Sequence, residues 1–208
     1  MNVAVRNGEV ELPDSFCSVG VHPSHVGNET LSASLHAVGR LASNPTVIAI
    51  GECGIDRAIS TGIDVQIQAF LAQVHIAERV CKPLILHSVR SGSDILSLRR
   101  SCDPSIPWVV HGYAGNPDMA ERLMSKGILL SFGAALLDPK RKTADVFRLM
   151  PLDRIFLETD ESDVDIARVY EGAALLRGMS VAMLADVIGA SVARTFPGID
   201  QMQDGARP

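Results

Sequence analysis

Short apolar runs alternate regularly with amphipathic stretches along this chain, and that alternation limits its fold more than any other feature. The runs are strand-length and nearly continuous, a pattern typical of strands covered on both faces, as in parallel sheets. A weaker candidate strand covers residues 3–5. Six runs are clear, at residues 16–21, 47–50, 83–86, 108–110, 128–130 and 154–157.

The stretches between these runs have helical patterns with recognisable ends. Residues 64–80 carry apolar side chains three and four positions apart. Asn116 supplies an N-cap and Pro117 a first-turn proline for a second helix, and Ser180 caps a third helix at about residues 181–194. Strand and helix in repeated succession predict an α/β fold with a parallel sheet, either an open sheet or a barrel.

The length and composition favour one domain. A chain of 208 residues with 47% hydrophobic content can bury one well-formed core and is short for two. No fixed-period repeat or internal Gly/Ser linker marks a boundary, so we predict a single domain over residues 1–208. Residues 197–208 are rich in proline, glycine and polar side chains, and we expect a loose tail there.

The charge balance bears on the partners of the protein. With 24 acidic and 19 basic side chains the net charge is -5, which provides no general attraction for DNA or an anionic membrane. Phosphate chemistry would therefore need local cations or metal ions. The four cysteines are widely spaced, the start is polar, and no apolar stretch approaches the roughly 18 residues of a membrane span. We predict a cytoplasmic protein without a membrane partner.

The residues that follow the apolar runs predict where the chemistry lies. They are 20–35 positions apart by their numbers, about one strand-helix unit, so the carboxyl ends of successive strands would bring them to one rim. On a barrel, active sites are built at that rim. Period-2 alternation would also turn Glu52, His87 and His111 inward, which favours a closed barrel over an open sheet. These residues are His22, Glu52, His87, His111, Ser131 and Asp160.

Four of these side chains predict a divalent-metal site. His87, His111 and Glu52 form a complete three-ligand set for a Zn-like ion with a position left for water. Asp160 adds a carboxylate that binds metal or accepts a proton from that water. A single strand-end histidine is more often structural, but four such residues on one rim are hard to explain by packing, and buried carboxylates need a cation or another partner.

Two neighbouring features have competing interpretations. Glu158 should face the same way as Asp160, either holding a ligand histidine or pairing as a buried acid with a cation. Gly51 and Gly54 lack the spacing of a phosphate-binding loop, and we expect them to turn the backbone away after Glu52. Cys53 between them is interpreted as a small buried apolar residue.

Five segments in order resemble the motif set of the TatD-like metal-dependent deoxyribonucleases. The resemblance covers residues 16–196, and Gln66, Phe70, Gln73 and Ala77 in the intervening helix also fit it. The segments are GVHP at 20–23, IGECGID at 50–56, LHS at 86–88, HGYAG at 111–115 and LETD at 157–160.

The resemblance implies a TIM-type (β/α) barrel of the amidohydrolase-like superfamily that binds one or two divalent ions such as Zn, Mg or Mn. It implies hydrolysis of phosphodiester bonds, typically in DNA. By position, Glu52 would bridge two ions, His87 and His111 would complete one, and Asp160 would bind the other and orient the attacking water, so that Glu52 and Asp160 are the catalytic candidates.

The resemblance also implies a set of substrate contacts. His22, Asp56 and Arg90 would lie near the substrate, although Arg90 is displaced by one residue from the usual His-Ser-Arg arrangement. These three residues are our substrate-binding candidates.

The sequence departs from the family at its start. Family members begin with a strand ending in an H-x-H pair that supplies two metal ligands, and no such pair occurs in this sequence. Residues 3–5 would then form the second strand of a barrel whose first strand is missing. The site of Glu52, His87 and His111 would still hold one ion.

Three functional hypotheses remain at this point. The first is a TatD-like hydrolase acting on DNA or a small phosphodiester. The second is a metal-dependent amide or lactone hydrolase acting on a small molecule, since the same ligands serve that chemistry. The third is a catalytically impaired barrel that acts as a binding protein. The sequence does not predict the oligomeric state.

Overall fold

A computed structural model describes residues 1–6, 10–27 and 30–199. They divide into two units: Met1–Val109 with the chain from Phe196 onward, and Val110–Thr195. The single domain over residues 1–208 stays a prediction. Of the tail predicted at 197–208, residues 200–208 lie outside the described residues.

The first unit is a parallel sheet with helices between its strands. Its strands lie side by side in chain order and pair in parallel from β1 to β4, with β5 next to β4. A short 3-10 helix at Pro23–His25 follows the second strand. The strands are β1 Asn2–Ala4, β2 Cys17–Gly20, β3 Val47–Asp56, β4 Leu84–Val89 and β5 Trp108–Val110. The helices are α1 Leu31–Leu41, α2 Ile63–Val80 and α3 Gly92–Cys102.

Helix α2 begins and ends within one residue of the helix predicted from periodicity. It buries one face, on which Phe70 packs edge-to-face against Trp108 with ring centroids 5.2 Å apart. Both rings are almost fully buried, so they form the centre of the core of this unit. Cys81 adopts a left-handed conformation and ends the helix, with its N–H bonded to carbonyls of the last turn.

Strand β3 is longer and less regular than the run predicted at 47–50. Ile50 pairs with Leu84 but Cys53 pairs with Leu86, so three steps in β3 match two steps in β4. Such an extra residue is a β-bulge, which interrupts simple alternation of side chains. The pairing then continues to Asp56.

Gly51 and Gly54 allow this close pairing. Both have positive φ, 147° and 140°, which strongly favours glycine. A Cβ atom at Gly51 would collide with the carbonyl oxygen of Ile85, and one at Gly54 with that of His87. The expectation that these glycines turn the backbone away after Glu52 is therefore wrong, because they keep β3 against β4.

The second unit contains two parallel strands and four helices. Phe132 at the end of β6 packs its ring against those of Tyr113 and Phe147, which makes an aromatic centre for this unit. Strand β6 pairs with β7 in parallel. The elements are α4 Pro117–Met124, β6 Ile128–Phe132, α5 Lys142–Leu149, β7 Ile155–Leu157, α6 Ile166–Arg177 and α7 Val181–Thr195, with 3-10 helices at Ala134–Leu137 and Leu152–Arg154.

Two helix starts confirm the predicted caps. The side-chain oxygen of Asn116 accepts a hydrogen bond from the N–H of Met119 at 2.8 Å, at the start of α4. The hydroxyl of Ser180 accepts from the N–H of Met183 at 3.2 Å, at the start of α7. Each bond satisfies one of the backbone donors that a helix leaves unpaired at its first turn.

The predicted α/β class is confirmed by parallel strands that alternate with helices in both units. Within the described residues, no single helix has the length and apolar character to cross a membrane, while the successive helices α6 and α7, bent by 106°, meet that criterion only when taken together.

Candidate metal centre

The first unit brings His22, Glu52 and His87 together. One possible ligand atom from each lies within 4.8 Å of the others. Metal bonds of about 2.0–2.2 Å to nitrogen or oxygen place ligands of one ion at most about 4 Å apart, so only small side-chain adjustments separate this cluster from coordination. Two imidazoles and a carboxylate suit a divalent ion such as zinc or manganese.

The positions of Glu52 and His87 on their strands differ from our prediction. We expected both to follow the end of a strand, but Glu52 lies inside β3 and His87 inside β4. The reason is the backbone approach at Gly51 and Gly54, which lets the two strands stay paired beyond the apolar runs. The sequence patterns predicted correctly that these side chains lie near each other. They placed the ends of both strands too early, because β3 continues to Asp56 and β4 to Val89.

Asp56, the last residue of β3, is bonded to His87. Its Oδ2 lies 3.0 Å from Nε2 of His87, and its Oδ1 accepts from the N–H of Ala58 at 2.7 Å. Burial alone would raise the pKa of Asp56. The hydrogen bonds from Ala58 and His87 and the electrostatic influence of the His87 and His22 rings outweigh burial and lower that pKa, so the carboxylate is ionised at neutral pH.

His22 caps the short helix that follows it. Its Nδ1 accepts the N–H of Ser24 at 3.2 Å and lies 2.7 Å from the hydroxyl oxygen of Ser24. A ring nitrogen that accepts an N–H cannot also carry a proton, so the neutral ring is protonated on Nε2. This leaves Glu52 and His87 as the candidate metal ligands of the cluster, with His22 beside them. The rings of His22 and His87 are in edge-to-face contact, with centroids 4.3 Å apart.

Helix α2 positions two of these residues through glutamines on its buried face. Gln66 accepts the N–H of Asp56 at 2.8 Å and donates to its carbonyl at 3.0 Å. Gln73 makes the same pair of bonds with Val21, the residue before His22. Both glutamines are fully buried.

These two glutamines were missed as functional residues by the sequence reasoning. In the sequence they stand out only as part of the family resemblance. A usable signal was present, because Gln66 and Gln73 are polar residues seven positions apart on the apolar face of a helix, and a buried amide must have hydrogen-bond partners.

The second unit brings His111, Glu158 and Asp160 together. His111 follows β5 directly, as predicted, and its Nδ1 lies 3.9 Å from Oδ2 of Asp160 and 4.0 Å from Oε1 of Glu158. These separations exceed a hydrogen bond, and 3.9 Å is close to the span of two bonds of about 2.0–2.2 Å to one ion. Asp160 has a positive φ of 50° and a side chain that is 47% exposed.

Glu158 holds the backbone next to His111. Its Oε1 accepts the N–H of Gly112 at 2.5 Å, and its Oε2 accepts the hydroxyl of Ser131 at 2.5 Å. Burial raises the pKa of Glu158, and the bonds from Ser131 and Gly112 and the charge of His111 oppose that rise. Of our two interpretations of this acid, the contacts fit the one in which it supports a candidate ligand histidine.

The sequence matches the family described as TatD related DNase over residues 4–197. The chain belongs to this family. The predicted family resemblance is thereby confirmed, and it extends over almost all of the residues that the structure describes.

The TatD-family relatives include enzymes named for nuclease activity. The chain is 33% identical over 150 residues to the 3'-5' ssDNA/RNA exonuclease TatD of Erwinia billingiae, covering 70% of this chain and 57% of the relative. It is 35% identical over 158 residues to a protein of the same name from a Rahnella species, covering 72% and 59%. The uncharacterized metal-dependent hydrolase TatD of Mycobacterium tuberculosis is 29% identical over 152 residues, covering 70% and 57%. The chain thus spans less than two thirds of these relatives.

Solved structures support the fold. A TatD homolog from Escherichia coli, YJJV, aligns with a TM-score of 0.80 and 26% identity over 87% of this chain and 76% of its own. A TatD family hydrolase from Entamoeba histolytica aligns with a TM-score of 0.75 and 15% identity over 88% and 75%. The predicted TIM-type α/β class is confirmed for this TatD-family chain.

The remaining substrate candidate, Arg90, stands at the end of β4 in the TatD-family chain. It is exposed and has a positive φ of 52°, so its backbone turns sharply where the strand stops. Arg90, two residues beyond the LHS motif, is therefore open to solvent.

Proposed function

We propose that this chain is a metal-dependent hydrolase that cleaves phosphodiester bonds in single-stranded DNA or RNA. The observation that carries the proposal is that possible ligand atoms of Glu52 and His87 lie within 4.8 Å of each other, with a ring nitrogen of His22 equally close, in a TatD-family chain. Relatives named as 3'-5' ssDNA/RNA exonucleases support the choice of substrate class. Because the chain spans 57% of the first of these relatives, the activity is a proposal for this chain and not a transfer from them.

The metal ligands we propose are Glu52 and His87 in the first unit and His111 and Asp160 in the second. Their carboxylate and imidazole donors suit zinc or manganese, and magnesium with fewer protein ligands. One or two such ions would neutralise charge on the phosphate and make water a stronger nucleophile. The net charge of -5 is consistent with this role for metal, because the chain has no excess of basic residues to attract a polyanion.

The other residues act on the substrate and the water. Asp160 is an exposed carboxylate beside His111, and we assign it to orient the attacking water and accept its proton. His22 presents an Nε2 proton that can donate to a phosphate oxygen, as its bond from Ser24 indicates. Arg90 adds an exposed cation for the next phosphate along the strand.

A first experiment tests metal binding and substrate class together. The protein is purified without chelators and its metal content is measured by elemental analysis. It is then assayed with magnesium, manganese or zinc on 5'-labelled single-stranded DNA and RNA, beside nitrophenyl phosphodiesters, amides and lactones. We expect stepwise shortening of the labelled strands and turnover of the phosphodiesters only.

Glu52→Gln tests the assignment of the metal centre. The amide keeps the shape of the carboxylate and loses its charge, so we expect at least about a 100-fold loss of activity, a loss typical of a group that stabilises transition-state charge. Glu171→Gln is the matched control, since Glu171 is an exposed helical acid that pairs with Arg168 at 3.4 Å on the same helix. Full turnover in Glu52→Gln would refute the assignment.

The other two hypotheses correspond to different outcomes. Turnover of amides or lactones without phosphodiester cleavage would make the chain a small-molecule hydrolase. Absence of bound metal together with absence of turnover would support a binding protein. The cytoplasmic location stays a prediction. All four cysteines are free thiols in the structure.

A further inference from the structure

The bond between Asp56 and His87 determines which ring nitrogen of His87 carries a proton. An ionised carboxylate only accepts hydrogen bonds, so the contact of 3.0 Å requires a proton on Nε2 of His87. In a neutral imidazole the lone pair is then on Nδ1. The side chains of Asp56 and His87 are 10% and 18% exposed, which limits competition from water for this bond.

Both oxygens of the Asp56 carboxylate are hydrogen-bonded within the protein. Oδ1 is bonded to the N–H of Ala58 while Oδ2 is bonded to His87. The backbone of Asp56 is held on both sides by the buried amide of Gln66, whose Nε2 also donates to the carbonyl of Thr61 at 2.8 Å. The orientation of His87 is therefore set by a chain of contacts that begins in the core of α2.

We propose that Asp56 is a positioning residue that holds His87 with Nδ1 as its metal-coordinating atom, and that Gln66 positions Asp56 for this role. The proposal deepens the proposed function, on which it rests only for the identity of His87 as a ligand. It differs from the substrate contact that the family resemblance implies for Asp56, because both carboxylate oxygens are already bonded within the protein and the side chain is only 10% exposed. A carboxylate on the second nitrogen of a ligand histidine orients the ring and makes it a better donor to the metal.

The first test reads the proton position directly. Nitrogen-15 NMR of the metal-free protein, labelled at histidine, distinguishes the two nitrogens by chemical shift, with the His87 signals assigned by their loss in His87→Gln. Spectra are recorded near pH 9, well above the usual imidazole pKa of about 6.5. We expect the Nε2-protonated form in the native protein and a mixture of both forms in Asp56→Ala. The Nδ1-protonated form in the native protein, or an unchanged form in Asp56→Ala, would overturn the proposal.

The second test measures metal affinity by calorimetric titration with zinc and manganese. Asp56→Ala should bind about 10- to 100-fold more weakly than the native chain. Asp56→Asn should lie between them, because its amide oxygen can still accept from His87. Asp94→Asn is the matched control: Asp94 is a carboxylate on α3 whose partner is Arg57, at 2.7 Å, and affinity should be unchanged. A wild-type affinity in Asp56→Ala would contradict the proposal.

These readouts separate the inference from the proposed function. If no nucleic acid is cleaved but the loss of affinity and the change of protonation are found, the positioning role stands and the proposed activity fails. If the native chain binds neither metal, the positioning role toward a metal is overturned. If Asp56→Ala does not fold, both tests are made with Asp56→Asn, which keeps the side-chain volume and one hydrogen-bond acceptor.

Discussion

The side-chain amide of Gln73 is paired with the peptide group of Val21 by two hydrogen bonds. The N–H of Val21 donates to Oε1 at 2.7 Å, and Nε2 donates to the carbonyl of Val21 at 3.1 Å. The same Nε2 also lies 3.2 Å from the carbonyl of Ala69 in its own helix. A residue of α2 thus takes the place of a neighbouring strand just before His22.

Replacing Gln73 with leucine should destabilise the fold by about 2–4 kcal/mol, because the buried N–H and C=O of Val21 each lose a partner at about 1–3 kcal/mol. Urea unfolding monitored by Trp108 fluorescence measures the change. Gln68→Leu, at an exposed position of the same helix, is the control and should stay within about 0.5 kcal/mol of the native chain. Equal effects of the two substitutions would show that the amide pair contributes nothing specific.

Replacing Gly54 with alanine should destabilise the protein by more than about 3 kcal/mol, from a strained backbone and a collision with the carbonyl oxygen of His87. The damage lies in the pairing of β3 with β4, so metal binding should weaken as well. Thermal unfolding and metal titration measure the two effects. In the control Gly189→Ala, none of the described atoms lies within 4 Å of the added Cβ, and the exposed helical position should gain up to about 1 kcal/mol. Native stability and metal affinity in Gly54→Ala would mean that β4 does not lie close enough to Gly54 to exclude a Cβ atom.

Replacing Glu158 with glutamine should release the backbone at Gly112. The carboxylate accepts from both Gly112 and Ser131, and an amide can accept from only one of them while its NH₂ faces the other donor. We expect a loss of about 1–3 kcal/mol and faster hydrogen exchange at the Gly112 amide. Ser131→Ala leaves the Gly112 bond in place and should leave that amide protected. An unchanged rate of hydrogen exchange at the Gly112 amide in Glu158→Gln would show that Glu158 does not hold the backbone next to His111.

Glu78 makes stability depend on pH in the acid range. Burial would raise its pKa, but bonds from the Ser105 hydroxyl at 2.8 Å and the Ile106 N–H at 3.1 Å, with the charge of Arg99, lower that pKa below its usual 4.5. A folded-state pKa below the unfolded value stabilises the protein above about pH 4.5, and the contribution is lost as the pH falls through the folded pKa.

The difference in unfolding free energy between native and Glu78→Gln should therefore be about 1–2 kcal/mol at pH 7 and should shrink below about pH 4.5. Denaturant unfolding at several pH values between 7 and 3 gives this difference. Glu171→Gln should stay within about 0.5 kcal/mol of the native chain throughout, as expected for an exposed helical pair. A difference for Glu78→Gln that is constant over this range would contradict the assignment.

Much of the fold could be predicted from local patterns. The strand at Trp108–Val110 matched its prediction, α2 was off by one residue at its start, and the caps at Asn116 and Ser180 formed as expected. These elements follow from periodicity and from capping chemistry, both of which act over a few neighbouring residues. The extent of β3 could not be predicted this way, because its continuation past Ile50 depends on how closely β4 approaches Gly51 and Gly54.

The sequence predicted which residues belong to the candidate site better than it predicted the contacts between them. His87 and Glu52 were chosen for their chemical type and spacing, and the first unit does bring them together with His22. The hydrogen bonds of Asp56, Gln66 and Glu158 could not be derived, since each joins residues that are distant in the chain or on different elements.

The sequence by itself determined the succession of strands and helices and the kinds of donor available to a metal, because apolar periodicity and side-chain chemistry are properties of the residues alone. Only the tertiary structure decided that Asp56 bonds to His87 and that Gln73 holds Val21. Those contacts depend on a bulge, two close strands and a buried helix face meeting within about 3 Å, the distance at which a hydrogen bond forms.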